Sequence, residues 1–511
     1  MKNLRISKKF LAIVTACLSL SVFSCKDELR NLDSDVKPTP SSMKTDSDID
    51  KLYDEKSTVK REFGKSLAKS LSESRMLRDI IKNKSLEMFN DDYEVLYEMI
   101  KDEKVENSLT VEDLITKNLT NKKSIKTLDL DYPTLTILVP SLPEEVFSAN
   151  KWNVDSEIPK VAVRLTTSNN VPIINSDGSE YILEGKYTPA FPILVIKENE
   201  RVISDKNKDF KNLKTRSLES KKGAKYKFLD DEYDRKLKKS KRLAYASGLD
   251  PKLITAYNTY NNADGWQRDF IYYDITPGQT KGPFLYNFQE GIKSFRMIGD
   301  PMVAYNKLAD QTDDPRIIND RFLDMGPQWT GGSFEFKVTC LVNAKNGVGA
   351  EIIKFFGASP SDLFSLSYTP LPSGPYFTLS GVTLNQKDLN VQIFNWDLNQ
   401  YASTIKISIE EMDITTTTQQ TESSTVTFAS NFGIDNGTLK KIGLKFGSSL
   451  ETVQTQTYQR TFTQGNDQLG DVVVNFADKF IISRGPVITR YYTREYSSGF
   501  YSISVEPIKV Q

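Results

Sequence analysis

The spacing of apolar residues changes its period along the chain, and the changes divide it. Between residues 57 and 127 they recur at helical intervals: Val59, Phe63, Leu67 and Leu71 every fourth position, then Leu77, Ile80 and Ile81, then Tyr93, Leu96, Tyr97 and Ile100. Thr110, followed three residues later by Asp113, has the spacing of an N-terminal cap and predicts a short helix from Val111. From Leu128 the period shortens. Runs at 135–140, 161–165, 181–183 and 193–196 read as strands separated by Pro, Asn and Ser-Asp-Gly turns, with Pro172, Pro189 and Pro192 at strand starts or edges. From 328 to 511 alternation dominates, as in Phe334, Phe336, Val338 and Cys340, in Ile405, Ile407 and Ile409, and in Val472 and Val474. The pattern predicts an α+β chain: an N-terminal helical segment (57–127), a small β domain (128–203) and a C-terminal antiparallel β-sandwich (328–511). Two stretches lack a clear period, a charged basic-rich linker at 204–245 and a mixed aromatic-rich segment at 246–327.

Composition limits the chemistry. The 511 residues include 67 Lys+Arg, 67 Asp+Glu, three Cys and no His. Ser-His-Asp and Cys-His catalysis, zincin sites and His-ligated iron or copper centres are therefore excluded. Carboxylate pairs, Lys and Tyr remain for catalysis, so the chain is expected to bind rather than catalyse, with no cofactor and no metal. A formal charge of zero argues against a nucleic-acid partner.

The N-terminus changes the charge balance. Lys2, Arg5, Lys8 and Lys9 precede the apolar run 10–22, which is too short to span a bilayer and suits a signal peptide over 1–24. The run ends in Val22-Phe23-Ser24-Cys25, followed by Lys26-Asp27-Glu28. This segment resembles the relaxed lipobox of Bacteroidota-type lipoproteins, with Phe23 departing from the usual small residue. A rival site at Cys17 leaves too short an apolar run. The resemblance implies cleavage before Cys25 and acylation of its thiol and amine with diacylglycerol and a further chain such as palmitate. Two or three chains anchor stably where one does not. Lys26, Asp27 and Glu28 resemble the export signal that sends such lipoproteins to the cell surface, so an outer-membrane, outward-facing location follows as an expectation. Removing 1–24 leaves 63 positive against 67 negative residues. Residues 25–56, with Pro-Thr-Pro at 38–40, read as a polar tether. Residues 63–71 and 92–97 resemble the helical N-terminal segment of Bacteroidota lipoproteins.

Three other features have both functional and structural readings. Residues 201–242 hold 16 Lys+Arg against seven Asp+Glu, which suits an anionic polysaccharide, lipopolysaccharide phosphates or nucleic acid or, more commonly, a solvated linker or exposed helix. The stretch Trp266-Gln-Arg-Asp-Phe-Ile-Tyr-Tyr273 suits a sugar-binding groove or, more commonly, a packed core. Cys340, on the apolar side of an alternating run, reads as core.

Residues 404–464 are the least usual. Seven threonines lie between 414 and 427, and a proline-free alternating run through Ile442, Leu444, Phe446, Ser448 and Leu450 becomes Thr/Gln-rich by 463. With Gly443-Leu-Lys-Phe-Gly-Ser-Ser449, the stretch is similar in composition to the stem of aerolysin-type pore-forming proteins. The polar character of 415–425 and 452–457 on both faces, and the potential hairpin break at 447–449, instead favour an ordinary sandwich hairpin. Trp396-Asp-Leu398, 410–413 and Asn466-Asp-Gln-Leu-Gly-Asp471 resemble the acidic loops of C2-like sandwiches, without a dense Asp cluster in one loop for Ca²⁺. The expectation is a lipid-anchored, non-catalytic binding protein whose partner is a polysaccharide, an envelope component or another protein. The alternatives are an aerolysin-like pore former and a His-free carboxylate-pair glycosidase.

Overall fold

A computed structural model describes residues 49–106, 108–119, 128, 130–242, 248–279, 281–309, 326–344, 349–412, 419–428, 454–463, 467–485 and 490–510. Residues 1–24, Cys25, Lys26, Asp27, Glu28 and most of 25–56 lie outside the described residues.

The period-four stripe forms helix Glu55–Glu73, started by a reciprocal cap between Asp54 and Ser57. Ser74 ends it and caps Arg75–Glu87, accepting from the Leu77 N–H at 3.2 Å. The cap expected at Thr110 is present: Asp113 N–H donates to Thr110 Oγ1 at 3.1 Å, and Thr110 N–H to Asp113 Oδ2 at 3.0 Å. Phe63, Leu67 and Leu71 are buried, and they pack on a six-stranded sheet rather than on other helices alone. Its order is Glu94–Leu96, Leu135–Leu138, Ile193–Glu198, Lys160–Val163, Val171–Ile174, Glu180–Leu183. Only Lys160–Val163 and Ile193–Glu198 pair in parallel. Gly64 permits the close approach, since a Cβ there would stand 2.9 Å from Ile174 Cδ1 and 3.2 Å from Ile196 Cδ1. The helical segment and the small β domain thus share one core, and the helical segment contributes an edge strand of its own.

The expected linker carries secondary structure. Val202–Ser204, Lys225–Phe228 and Ser217–Glu219 form a three-stranded sheet, followed by helix Arg235–Arg242. Its cations meet acids of the N-terminal unit: Lys221 with Glu103 at 3.0 Å, Lys222 with Asp102 at 2.8 Å, and Lys238 with Asp91 at 2.6 Å. Exposed pairs of this kind contribute little stability, but they neutralise the excess charge locally.

Two antiparallel four-stranded sheets face each other in the C-terminal half. One runs Gln386–Phe394, Phe288–Met297, Tyr501–Lys509, Glu495–Ser498; the other Gly349–Ala358, Phe334–Ala344, Tyr401–Glu411, Asp467–Asn475. Phe295 of the first lies 4.9 Å from Phe336 and 5.2 Å from Phe356 of the second, ring centre to ring centre. The sandwich begins before residue 328, because Phe288–Met297 is an inner strand and helix Gln267–Tyr273 is built into the same core. Cys340 is buried there, and burial pushes its thiol well above the ordinary range.

Candidate functional site

The described residues of 404–464 belong to two successive strand pairs rather than one continuous sheet. At the base, Tyr401–Glu411 pairs with Asp467–Asn475, with Ile405 opposite Val474 and Ile407 opposite Val472. Beyond, Gln419–Phe428 pairs with Gln454–Thr463 in one unbroken register from Gln419 opposite Thr463 to Phe428 opposite Gln454. This second pair is a sheet of two strands hydrogen-bonded only to each other among the described residues. The result is a ribbon about 33 Å long at ~3.3 Å per residue, in series with the base. The segment 429–453, including the potential break at 447–449, lies outside the described residues.

The acidic positions that resemble Ca²⁺ loops are engaged separately. Asp397 accepts from Tyr273 Oη at 2.9 Å and from the Asn399 N–H at 2.9 Å; Glu410 pairs with Lys337 at 2.7 Å and Asp471 with Lys406 at 2.6 Å. Asp413 and Asn466 lie outside the described residues. No cluster of three or more Cys, Asp or Glu placed to hold a metal occurs among the described residues. The aromatic stretch is core rather than groove: Trp266, Tyr272 and Tyr273 are buried, and Tyr272 Oη donates to Glu290 at 2.9 Å.

The second feature is a cleft of about 590 Å³ where the N-terminal unit meets the sandwich. Leu138, Val139, Leu142, Trp329 and Phe364 form its buried apolar lining. Ser141, Ser361 and Ser365 are exposed on its rim, and Tyr93 and Tyr368 are half-buried in its wall. Among the described residues, its only acidic lining residues are the neighbours Asp91 and Asp92, and no Lys or Arg lines it. Asp91 is paired with Lys238; Asp92 accepts from the N–H groups of Tyr93 at 2.7 Å and Ser333 at 2.8 Å.

Behind Asp92 lies a buried charge network that spacing alone did not reveal. Lys197 lies 2.8 Å from Glu94 and 2.6 Å from Glu200, and its ammonium also donates to the Gly331 carbonyl. Arg201 donates to Glu335 at 2.7 Å and to the Asn90 carbonyl at 2.6 Å, and Arg164 meets Glu200 at 3.0 Å. Four carboxyl groups (Asp92, Glu94, Glu200, Glu335) thus share three cations. Burial raises Glu335, with Glu200 and Glu94 adding to it against the pull of Arg201 and Lys197. Burial also acts to raise Glu94, but Lys197 and Arg201 outweigh it and hold that carboxyl below its usual range. The network joins the two halves, because Glu335 and Gly331 belong to the sandwich side. The sequence signal was a charge set inside an apolar strand run, as in Val161-Ala-Val-Arg164-Leu165 and Ile196-Lys197.

Two further carboxyls are raised by burial, Asp269 to about 8 and Glu506 to about 7. Both sit inside the sandwich rather than in the cleft wall. No described helix is long and apolar enough to cross a bilayer, a statement about helices and not about strands. No known protein family, curated protein or solved structure matches the chain.

Proposed function

We propose that the chain is a lipid-anchored protein of the outer membrane, held through Cys25 with its body outward, that works without catalysis and carries the stem of a β-barrel pore. The self-paired ribbon Gln419–Phe428/Gln454–Thr463 carries this reading. A strand that crosses a bilayer needs about 9–11 residues with one apolar face. The sequence has two largely apolar-faced stretches that begin at or beyond the end of the ribbon. Val426, Phe428, Phe432 and Ile434 share one parity over nine residues, interrupted by Ser430, and Ile442, Leu444, Phe446 and Leu450 share one over another nine, interrupted by Ser448. The Thr/Gln/Ser-rich strands between these stretches and the sandwich suit a water-filled stalk, where polar side chains are tolerated on both faces. Several copies closing into a barrel would satisfy the open ribbon edges.

A second reading, recognition of an envelope component in the cleft, is favoured by that cleft's enclosed apolar lining and polar rim. The two readings are compatible, one concerning what the protein meets and the other what it then does.

The test is dye release from liposomes by the mature protein, read together with SDS-resistant oligomers. Both are expected, and both are expected to disappear in Leu444→Asp/Phe446→Asp while the melting temperature stays unchanged. A monomer that releases no dye overturns the stem. For the anchor, fatty-acid labelling is expected in the wild type and not in Cys25→Ala; equal labelling would overturn the location.

A further inference from the structure

We infer that the cleft between the N-terminal unit and the sandwich is a binding site for a neutral oligosaccharide. This rests on the recognition reading and is independent of the stem. The first observation is the lining. The C–H face of a pyranose is apolar and packs on aromatic rings, while its hydroxyls need both donors and acceptors. Tyr93 and Tyr368 supply half-buried rings, and exposed Ser141 supplies a hydroxyl, as do Ser361, bonded to Ser359 at 3.0 Å, and Ser365, which donates to Asn385 at 3.1 Å, both of which can still accept. The apolar residues beneath exclude water from the interior, as in small-ligand sites generally.

The second observation is charge. Among the described residues no Lys or Arg lines the cleft, and its two carboxylates are already tied to Lys238, to Arg201 at 3.6 Å and to backbone N–H groups. An anionic sugar would meet two carboxylates and no cation, so its charge would be buried without a partner. The ligand class is therefore neutral.

The third observation is the backbone. Of the five non-glycine residues with positive φ among the described ones, two line this cleft, Met88, which ends its helix in the left-handed conformation, and Asp91, while the exposed Glu144 and Glu145 follow the lining residue Pro143. Each left-handed residue of this kind costs on the order of 1 kcal/mol or more, and such residues collect where a structure holds a functional shape. Gly332, at φ +88°, is also in the lining, and a Cβ there would stand 2.7 Å from Asp92 Oδ2. The shape of the cleft is thus fixed by strained turns and by the Asp92–Ser333 tie rather than by loosely packed loops.

The test is titration of the full mature protein with maltohexaose, mannohexaose and xylohexaose, with hexagalacturonate as the acidic control, read by tryptophan fluorescence and calorimetry. Trp329, one of four tryptophans, lies in the lining and supplies a fluorescence signal beside the calorimetric one. At least one neutral hexasaccharide is expected to bind saturably. Tyr368→Ala is expected to weaken it at least tenfold, and Ser361→Trp, an exposed rim position, to abolish it by filling the mouth without unfolding the protein. Binding that both variants leave unchanged overturns the proposal. If hexagalacturonate alone binds and Ser361→Trp blocks it, the neutral class is wrong while recognition in the cleft stands. If none of the four binds, the oligosaccharide site falls, and an unlabelled envelope extract that protects the wild type but not Ser361→Trp from thermal unfolding would show whether the recognition reading falls with it.

Discussion

The base of the long hairpin and its outer ribbon obey the same antiparallel pairing rule but are made of opposite materials. At the base, Ile405, Ile407 and Ile409 are buried on one face, and Phe334–Ala344, itself paired with Gly349–Ala358, continues the sheet beside them. In the ribbon the paired residues are Thr, Gln and Ser for most of its length, and neither strand is hydrogen-bonded to a further strand among the described residues. Burying an Ile side chain contributes about 1.5–3 kcal/mol, enough to recruit neighbouring strands and a facing sheet. Thr–Thr and Thr–Gln pairs each contribute only a few tenths of a kcal/mol. Backbone hydrogen bonds can therefore extend a hairpin indefinitely, but only an apolar face gives it a layer to lie on. The sequence changes material within a few residues, and the architecture changes with it.

The sharpest way to break this contrast is to place one charge in each part. Ile407→Asp is expected to cost about 4 kcal/mol or more in chemical denaturation, because an unpaired carboxylate replaces a fully buried side chain. Thr425→Asp is expected to stay within about 0.5 kcal/mol of the wild type. Comparable losses at the two positions would mean that the ribbon is covered after all.

The seam between the halves offers a third material, buried but ionic. Arg201→Ala leaves Glu335 and Asp92 without their shared cation and is expected to cost about 3 kcal/mol, with part of the loss recovered when Glu335→Leu is added. Absence of recovery in the double variant would show that the Arg201 stem, rather than its charge, holds the seam.

The gentlest test concerns slope rather than size. Burial raises the Asp269 carboxyl from its ordinary 3.8 to about 8, so the folded protein keeps a proton there that the unfolded chain releases. The associated stability is fully present below about pH 4 and declines as pH rises towards 8. Asp269→Asn is expected to flatten the denaturation midpoint over that window; an unchanged slope would place the titration elsewhere.

Much of the fold was legible because burial imposes a period. Phe63, Leu67 and Leu71 announced their helix, Thr110 and Asp113 its neighbour's cap, and Phe336, Val338 and Cys340 their strand. Domain limits were less legible, because they depend on pairing between distant segments. Nothing local at Glu94–Leu96 says that it joins Leu135–Leu138, and the aromatic-rich stretch before 328 conceals the inner strand Phe288–Met297. The ribbon was half legible: composition suggested a stem and two-sided polarity a hairpin, and the described residues show a two-stranded antiparallel pair whose connection, 429–453, lies outside them. The cleft and its charge network were not legible, since Asp92, Lys197, Arg201 and Glu335 converge from positions more than 240 residues apart with no shared spacing.

The inner pair of one sandwich sheet joins Phe288–Met297 to Tyr501–Lys509, and Ser294 Oγ meets Ser504 Oγ across 210 residues of sequence at 2.7 Å. That separation sets a schedule. While the ribosome is still producing the intervening residues, the earlier strand has one long edge with no mate, even after the strands of the facing sheet, which end at Asn475, have been made. Closing so large a loop is slow compared with forming the N-terminal helices. Throughout synthesis the second half is a chain in waiting, exposed to misassociation and dependent on being kept soluble until its final strand arrives.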